Sequence, residues 1–412
     1  MMISATDRAI VRDLAKQAAE IAADPHQDQM RELWRKVNRL ERTRPMILLH
    51  DATQHETGEK VERACDGDAA WGIEHQLRHR IYHWEHMRDD AIWDDTFGVD
   101  IPVAHEGYGI EGDWTQPDHV FGASQINPIL NGDEDPAAMI AMPTVTVDWD
   151  AAEERLEFVS EVLGDILRVQ KRGLIGYWFA TVDDFISWRG IENTMMDMVD
   201  RPEWLHAWLD RMCEFKLSQI HQYEELGVLS LNNACDTIGS GGIGYTDLLP
   251  ADDFDGEHVR LKDQWGHATT QIFSEVSPAM HEEFALKYEK RFCEHFGLSN
   301  YGCCEPLDLK VDIILKNIPN VRKLSMSPKA DVARGAEALG KRAIFSWKPN
   351  PAWLGMPTWD IDWQREQMRD AFEKTKGCVV EVIMKDLHTV CGEVNRMWEW
   401  VDMARELSQE YA

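Results

Sequence analysis

The sequence predicts an α/β architecture, on three observations. Apolar runs of strand length recur from about residue 174 to 385, and helical patterns lie between most of them. That alternation means parallel pairing. Start and stop signals punctuate the junctions. Ser277-Pro278 and Ser327-Pro328 each set a capping hydroxyl before a proline suited to the first helical position, and Gly377 stops helix 363–376 ahead of CVVEVIM. The count is about seven to nine strands. That is close to the eight of a closed barrel, and an open doubly wound sheet fits the same rhythm.

In chain order, residues 4–40 read as helical and end near Arg42-Thr-Arg44. Pro45 then opens Met46-Ile-Leu-Leu49, a buried strand candidate. Residues 51–90 are charged and helical in pattern, whereas 91–150 are rich in Asp, Pro and Gly and irregular. Helix 151–171 precedes the apolar run 174–182, and helices near 188–199 and 203–226 precede Val228-Leu-Ser-Leu-Asn-Asn233. Strands are expected at 269–275, 298–304, 321–327, 342–347 and 378–385. The division expected is a helical extension over 1–44 and one large domain over 45–412.

Composition excludes several functions. With 43 Lys and Arg against 73 Asp and Glu, the net charge is −30. Nucleic acid and anionic membrane surfaces need the opposite sign. No apolar run approaches the length that spans a bilayer, and MMISATDRAIVRDLAKQ reads as an amphipathic helix rather than a secretory leader. Eight cysteines without zinc-finger spacing point to free thiols in a reducing cytoplasm.

Two motifs mislead. Gly239, Gly241 and Gly244 match a dinucleotide fingerprint, but AlaCysAspThrIle separates them from the preceding strand. A flexible loop at the mouth of a barrel is the better expectation. Asp386-Leu-His388-Thr-Val-Cys-Gly392 nearly matches the element by which cobalamin domains give a histidine to cobalt, with its glycine one residue late. The strongest local feature is Tyr301-Gly-Cys-Cys-Glu305-Pro, two thiols and a carboxylate at a strand end, where barrel enzymes place reactive groups. Strand alternation would send Cys303 and Glu305 one way and Cys304 the other. Thiolate and carboxylate suit zinc, while buried cysteines are as often inert core. Asn232, Asn233, Glu275, Ser325, Ser327, Trp347, Lys348, Lys385, Asp386 and His388 complete a polar ring at other strand ends, with Trp347 and Tyr245 as apolar wall.

The runs WGHATTQIFSEVSPAMHEEFALKYEKRF, YGCCEPLD, IPNVRKLSMSPKAD, FSWKPNPA and VVEVIMKDLHTV, in this order, resemble the uroporphyrinogen-decarboxylase superfamily, in its methyltransferase-like branch. The likeness spans residues 150–410, and ELWRKVNRLERTRPMILL extends it to the N-terminal helices. It implies a (β/α)8 barrel with the pocket at its C-terminal mouth. It also implies methyl transfer between a small substrate and a corrinoid on a partner protein. Several members hold zinc with a His-x-Cys pair and a later cysteine. Here Cys303 or Cys304 matches the strand cysteine, Tyr301 or Gly302 stands where the histidine would be, and the late cysteine has no clean match. A changed set of Glu275, Cys303 or Cys304, and His388 is one reading, and a metal-free site is another.

The implied reaction is O-demethylation of a methoxylated aromatic, the methyl going to a Co(I) corrinoid. An aryl ether needs its oxygen protonated or bound to a Lewis acid. Glu275, Glu305, Asp386 and His388 are the proton-donor candidates. Cys303, Cys304 and His388 are the metal candidates, and Asn232, Tyr245 and Trp347 would bind substrate. Methylamine, thiol or methyltetrahydrofolate are alternative methyl donors or acceptors. Decarboxylation of a polycarboxylate is disfavoured, because MILLHDATQHETG lacks the arginine that clamps such a substrate. Partners expected are a corrinoid protein and a small methylated substrate, with a second copy of the chain as a further candidate.

Overall fold

The computed structural model describes residues 3–50, 56, 62–117 and 122–412. Two helices open the chain, α1 (Ala5–Ala22) and α2 (Pro25–Asn38). Ser4 caps the first through the Asp7 N–H, and Asp24 caps the second through the His26 N–H, with Pro25 in the first turn. Twelve strands follow among the described residues: β1 (Met46–Leu49), β2 (Thr96–Asp100), β3 (Val103–His105), β4 (Asp113–Thr115), β5 (Gln125–Asn127), β6 (Val145–Val147), β7 (Arg168–Arg172), β8 (Trp265–Ala268), β9 (Leu298–Tyr301), β10 (Val321–Met326), β11 (Ile344–Trp347) and β12 (Val379–Met384).

Six of them form one parallel sheet in the order β1-β12-β11-β10-β9-β8. β2 and β7 make a separate parallel ribbon, and β3–β6 and β4–β5 are short antiparallel pairs. The α/β class and the parallel pairing agree with the sequence. The closed eight-stranded barrel is corrected: among the described residues the sheet does not close. The segments expected to close it, 174–182 and 228–233, form no strand ladder and pair through isolated bridges, Leu174 with Leu229 and Phe179 with Ala268.

Around these bridges, side chains bond the backbone of both segments. Gln264 Nε2 donates to the carbonyls of Leu174 and Ser230. Asn232 Nδ2 donates to those of Ile175 and Trp265, and its Oδ1 accepts the Trp265 N–H.

Other boundaries also move. The helix expected over 151–171 ends at Leu163, and its tail becomes β7. The strand expected over 269–275 lies earlier, at Trp265–Ala268, and Gln271–Phe273 is a helical turn. Ser277 caps its helix through the Met280 N–H, whereas Asp331, not Ser327, caps the helix Val332–Leu339. The expectation for residues 51–55 and 57–61 falls outside the described residues.

Strand parity sorts the side chains. Ile47 and Leu49 of β1, Phe345 and Trp347 of β11, and Val380, Val382 and Met384 of β12 pack into the main core under the helices. Met46, Leu48, Ile344, Val379 and Ile383 face the other way and pack with Met30, Trp34 and Val37 of α2 and with Ile243. The glycine-rich loop is therefore corrected too. It is no flexible flap, because residues 240–244 are buried inside the sheet. A Cβ on Gly242 would lie 2.6 Å from both Glu381 Oε2 and the Trp34 ring, so only glycine fits there. No helix among the described residues is long and apolar enough to cross a membrane.

Candidate active site at the carboxyl ends of the strands

The inner face of the sheet carries polar residues that parity singles out: Glu381, Ser346, Lys323, Ser325, Asn300 and His267, all buried. At the bottom, Lys323 Nζ meets Glu381 Oε2 at 2.7 Å, with the Trp34 and Trp265 rings 5.0 and 5.6 Å away. Burial pushes Glu381 up, but Lys323 and Lys348 outweigh it and hold the carboxyl below its ordinary value. Ser346 Oγ and the Gly242 N–H also donate to Glu381. One step higher, Lys348 Nζ donates to the Ser346 carbonyl at 3.0 Å and to its Oγ at 2.7 Å. Burial lowers Lys348 to about 7, so its ammonium is a weakly held proton at neutral pH.

At the top, the chain leaves β9 through Gly302, whose φ is +89°, and leaves β12 through Asp386, whose φ is +61°. These left-handed turns bring two strand ends together. Lys385 Nζ stands 3.0 Å from Cys303 Sγ, 3.9 Å from Cys304 Sγ and 3.1 Å from Asp386 Oδ2. The two sulfurs are 3.4 Å apart. The hydrogen bond from Cys304 lowers Cys303 most, Lys385 adds to it, and together they outweigh burial, so the thiol falls to about 6. The same bond and burial push Cys304 up. Burial works against the Lys385 charge, yet the Cys303 thiolate raises its pKa above the ordinary value. An ammonium thus sits among two sulfurs and a carboxylate.

His267 lies beside this group, close enough for Lys348 and Lys385 to add to the effect of burial, which lowers it to about 3. Its Nδ1 faces Asn300, while its buried Nε2 has no hydrogen-bond partner among the described residues. Trp178, 45 % exposed, leans over the imidazole at 4.7 Å between ring centroids. His50, at the end of β1, is lowered to about 4, chiefly by burial. It lines a cavity of about 960 Å³ on the open side of the sheet, together with Trp93, Ile175, Ser230 and Asn233.

The residues named from sequence divide accordingly. Cys303, Cys304 and Asp386 come together around Lys385. Alternation does not govern the two cysteines, because β9 ends at Tyr301; Cys303 is buried and Cys304 exposed. Glu305 is fully buried and accepts from the Cys303 N–H, Thr269 Oγ1 and the Thr270 N–H, so it shapes the turn rather than presenting an acid. His388 is exposed beyond the cluster, and Glu275 is exposed in the turn before Ser277, where its charge acts on Lys310.

Trp347 turns outward onto Trp353, 6.3 Å between ring centroids, since its neighbour Ser346 takes the inner face. Tyr245 packs beside Ile243 in the α2 cluster and gives its carbonyl to Asn38. The bonds of Asn232 all go to backbone. Asn232→Ala is therefore expected to lower stability rather than substrate affinity. About 2 kcal/mol follows from the backbone groups left unpartnered, read as a lower urea midpoint.

No three His, Cys, Asp or Glu residues among the described ones form a group that could hold a metal ion. Lys385 places a positive charge beside the two cysteines, and His388 lies outside that cluster.

Sequence reading missed Lys323, Glu381, His267, Asn300 and Trp178. The available signal was a polar residue set inside an apolar run: Glu381 in VVEVIM, Lys323 in VRKLSM, Asn300 in LSNY and His267 in WGHA.

Among solved structures, a methyltransferase from Methanosarcina mazei matches with a TM-score of 0.50 and 12% identity. The match covers 92% of this chain and 98% of that chain, and at this identity it shows the fold alone. No family model matches the sequence, and no curated protein does.

Proposed function

We propose that the chain is a methyltransferase of the uroporphyrinogen-decarboxylase type, removing the methyl group of a methoxylated aromatic and passing it to a corrinoid carried by a partner protein. The observation that carries the reading is the placement of Lys348, a buried lysine at the carboxyl end of the sheet whose Nζ donates to Ser346 and whose charge acts on His267 against the exposed Trp178; burial lowers its ammonium to about 7. A phenol has a pKa of about 10, so a phenolate leaving a methyl carbon takes the proton of such an ammonium downhill. The neighbour from Methanosarcina mazei is itself named a methyltransferase, which favours methyl transfer over decarboxylation.

The corrinoid supplies the reduced metal that accepts the methyl group. Everything else falls to this chain. Trp178 offers an exposed aromatic face for the ring. His267 Nε2 offers an unpartnered polar atom beneath it. The rim leaves Cys304 and Asp386 exposed on the side from which a flat macrocycle would approach. The Cys303 thiolate and Lys385 keep the mouth polar and fix its two turns against each other.

The experiment mixes the purified protein with a reduced corrinoid protein and a panel of methoxybenzenes, then measures released phenol by chromatography and the absorbance change of the corrinoid protein. Stoichiometric phenol supports the proposal. No phenol and no spectral change with any methoxyarene, methylamine or methyl thioether would reject methyl transfer.

A further inference from the structure

The two adjacent thiols have a chemistry that methyl transfer does not use. Of the eight cysteines, only Cys304 and Cys391 are exposed. Burial raises Cys65 and Cys213 to about 12 and Cys378 to about 11, which makes them inert. Burial raises Cys235 and Cys293 as well. Cys303 alone has an ammonium at 3.0 Å together with a second sulfur at 3.4 Å. A thiol set between an ammonium and a resolving thiol is the arrangement that oxidants select.

The backbone entering the pair is held at Gly302 and Cys303. Ser240 Oγ donates to the Gly302 carbonyl and Ser325 Oγ to the Cys303 carbonyl, while Glu305 accepts the Cys303 N–H. The exposed Cys304 side gives a water-sized oxidant a way to its neighbour.

We propose that Cys303 and Cys304 form a peroxide-sensing dithiol that closes to a disulfide between adjacent residues and so switches the mouth off. The Cys303 thiolate attacks the outer oxygen of a hydroperoxide. The O–O bond breaks, Cys303 becomes a sulfenic acid, and the leaving alkoxide or hydroxide takes a proton from water. The Cys304 thiol then attacks the Cys303 sulfur, the S–S bond forms, and water departs. Two electrons have passed from the dithiol to the peroxide. Lys385 loses its thiolate partner and keeps Asp386, so the charged contact that ties the β9 turn to the β12 turn is lost, and the Cys304 thiol no longer donates to Asp386. Two equivalents of a monothiol reverse the change.

The test uses full-length protein carrying Cys391→Ser, which removes the other exposed thiol. Stoichiometric hydrogen peroxide is added near neutral pH, and the products are read by thiol titration, intact mass and peptide mapping. The expected result is loss of two titratable thiols and of two mass units, mapped to one peptide holding both cysteines and reversed by dithiothreitol. Cys304→Ser is expected to stop at a sulfenic acid on Cys303, captured by dimedone. Lys385→Met is expected to slow oxidation at least about tenfold, because the thiolate fraction falls. Circular dichroism checks that each variant is folded. Retention of both thiols in the folded protein, direct passage to sulfinic acid, or a disulfide that links two chains would each overturn the proposal.

Discussion

Glu381→Ala is expected to destabilise the protein by about 3–5 kcal/mol, the usual cost of leaving one member of a buried ion pair alone. Both partners are fully buried, and Lys323 Nζ has only the Ile243 carbonyl and two tryptophan faces to turn to once the carboxylate is gone. Ser346 Oγ and the Gly242 N–H lose their acceptor at the same time. The effect should appear as a lower urea midpoint with an unchanged slope. The double variant Lys323→Met, Glu381→Leu removes both charges and restores apolar packing under Trp34, so most of the loss should return. A single variant that costs less than about 1 kcal/mol would mean that water reaches the pair and screens it.

That pair also marks how far the sequence was legible. The strands β9 to β12 were visible as apolar runs, and residues 4–40 as a helical stretch opening on an amphipathic pattern, because burial of one face leaves a periodic trace. β8 was not. The run ATTQIFS has the better strand composition, yet Glu305 binds Thr269 and the Thr270 N–H and turns the chain there. The actual strand, WGHA, contains a glycine and a histidine and is fixed by its register with β9, a non-local fact.

The open side of the sheet was equally hidden, since it depends on where the amides of Asn232 and Gln264 point. At the site, the strand-end cluster around Cys303 was found from the unusual Gly-Cys-Cys-Glu sequence alone. Glu305 is less available as an acid than its place in the sequence suggests, for a physical reason: a carboxylate in sequence does not show how many donors it already accepts, and Glu305 accepts three in its own turn. Trp347 was placed on the wrong face because the strand Ile344–Trp347 offers an apolar residue at both parities. Only the bond from Ser346 to Glu381 settles which side is inner.

Lys348→Met is expected to abolish most of the proposed methyl transfer, by about 10²–10⁴-fold, the range that a positioned proton donor contributes. The same change should make the protein more stable at neutral and acidic pH, and this opposition separates a functional lysine from a structural one. Lys348 is lowered from an ordinary value of 10.5 to about 7, so below about 7 it is a charged group held in a buried place at a cost. Between those two values the unfolded chain binds a proton that the folded chain does not. Linkage then requires wild-type stability to rise with pH across that window. The penalty is complete below about 7 and fades toward 10.5. Methionine fills similar space without charge, so its advantage in urea midpoint should be largest near about pH 6 and shrink by about pH 10.

Activity should follow the opposite course in the wild type. The ammonium is the form that gives its proton, so the rate should hold below about 7 and drop about tenfold per pH unit above it. Phenol release measured across pH, paired with urea midpoints of both proteins, checks the two halves independently. A methionine variant that loses stability at every pH, or a rate that rises above about 7, would remove Lys348 from the chemistry and leave it as a brace for Ser346.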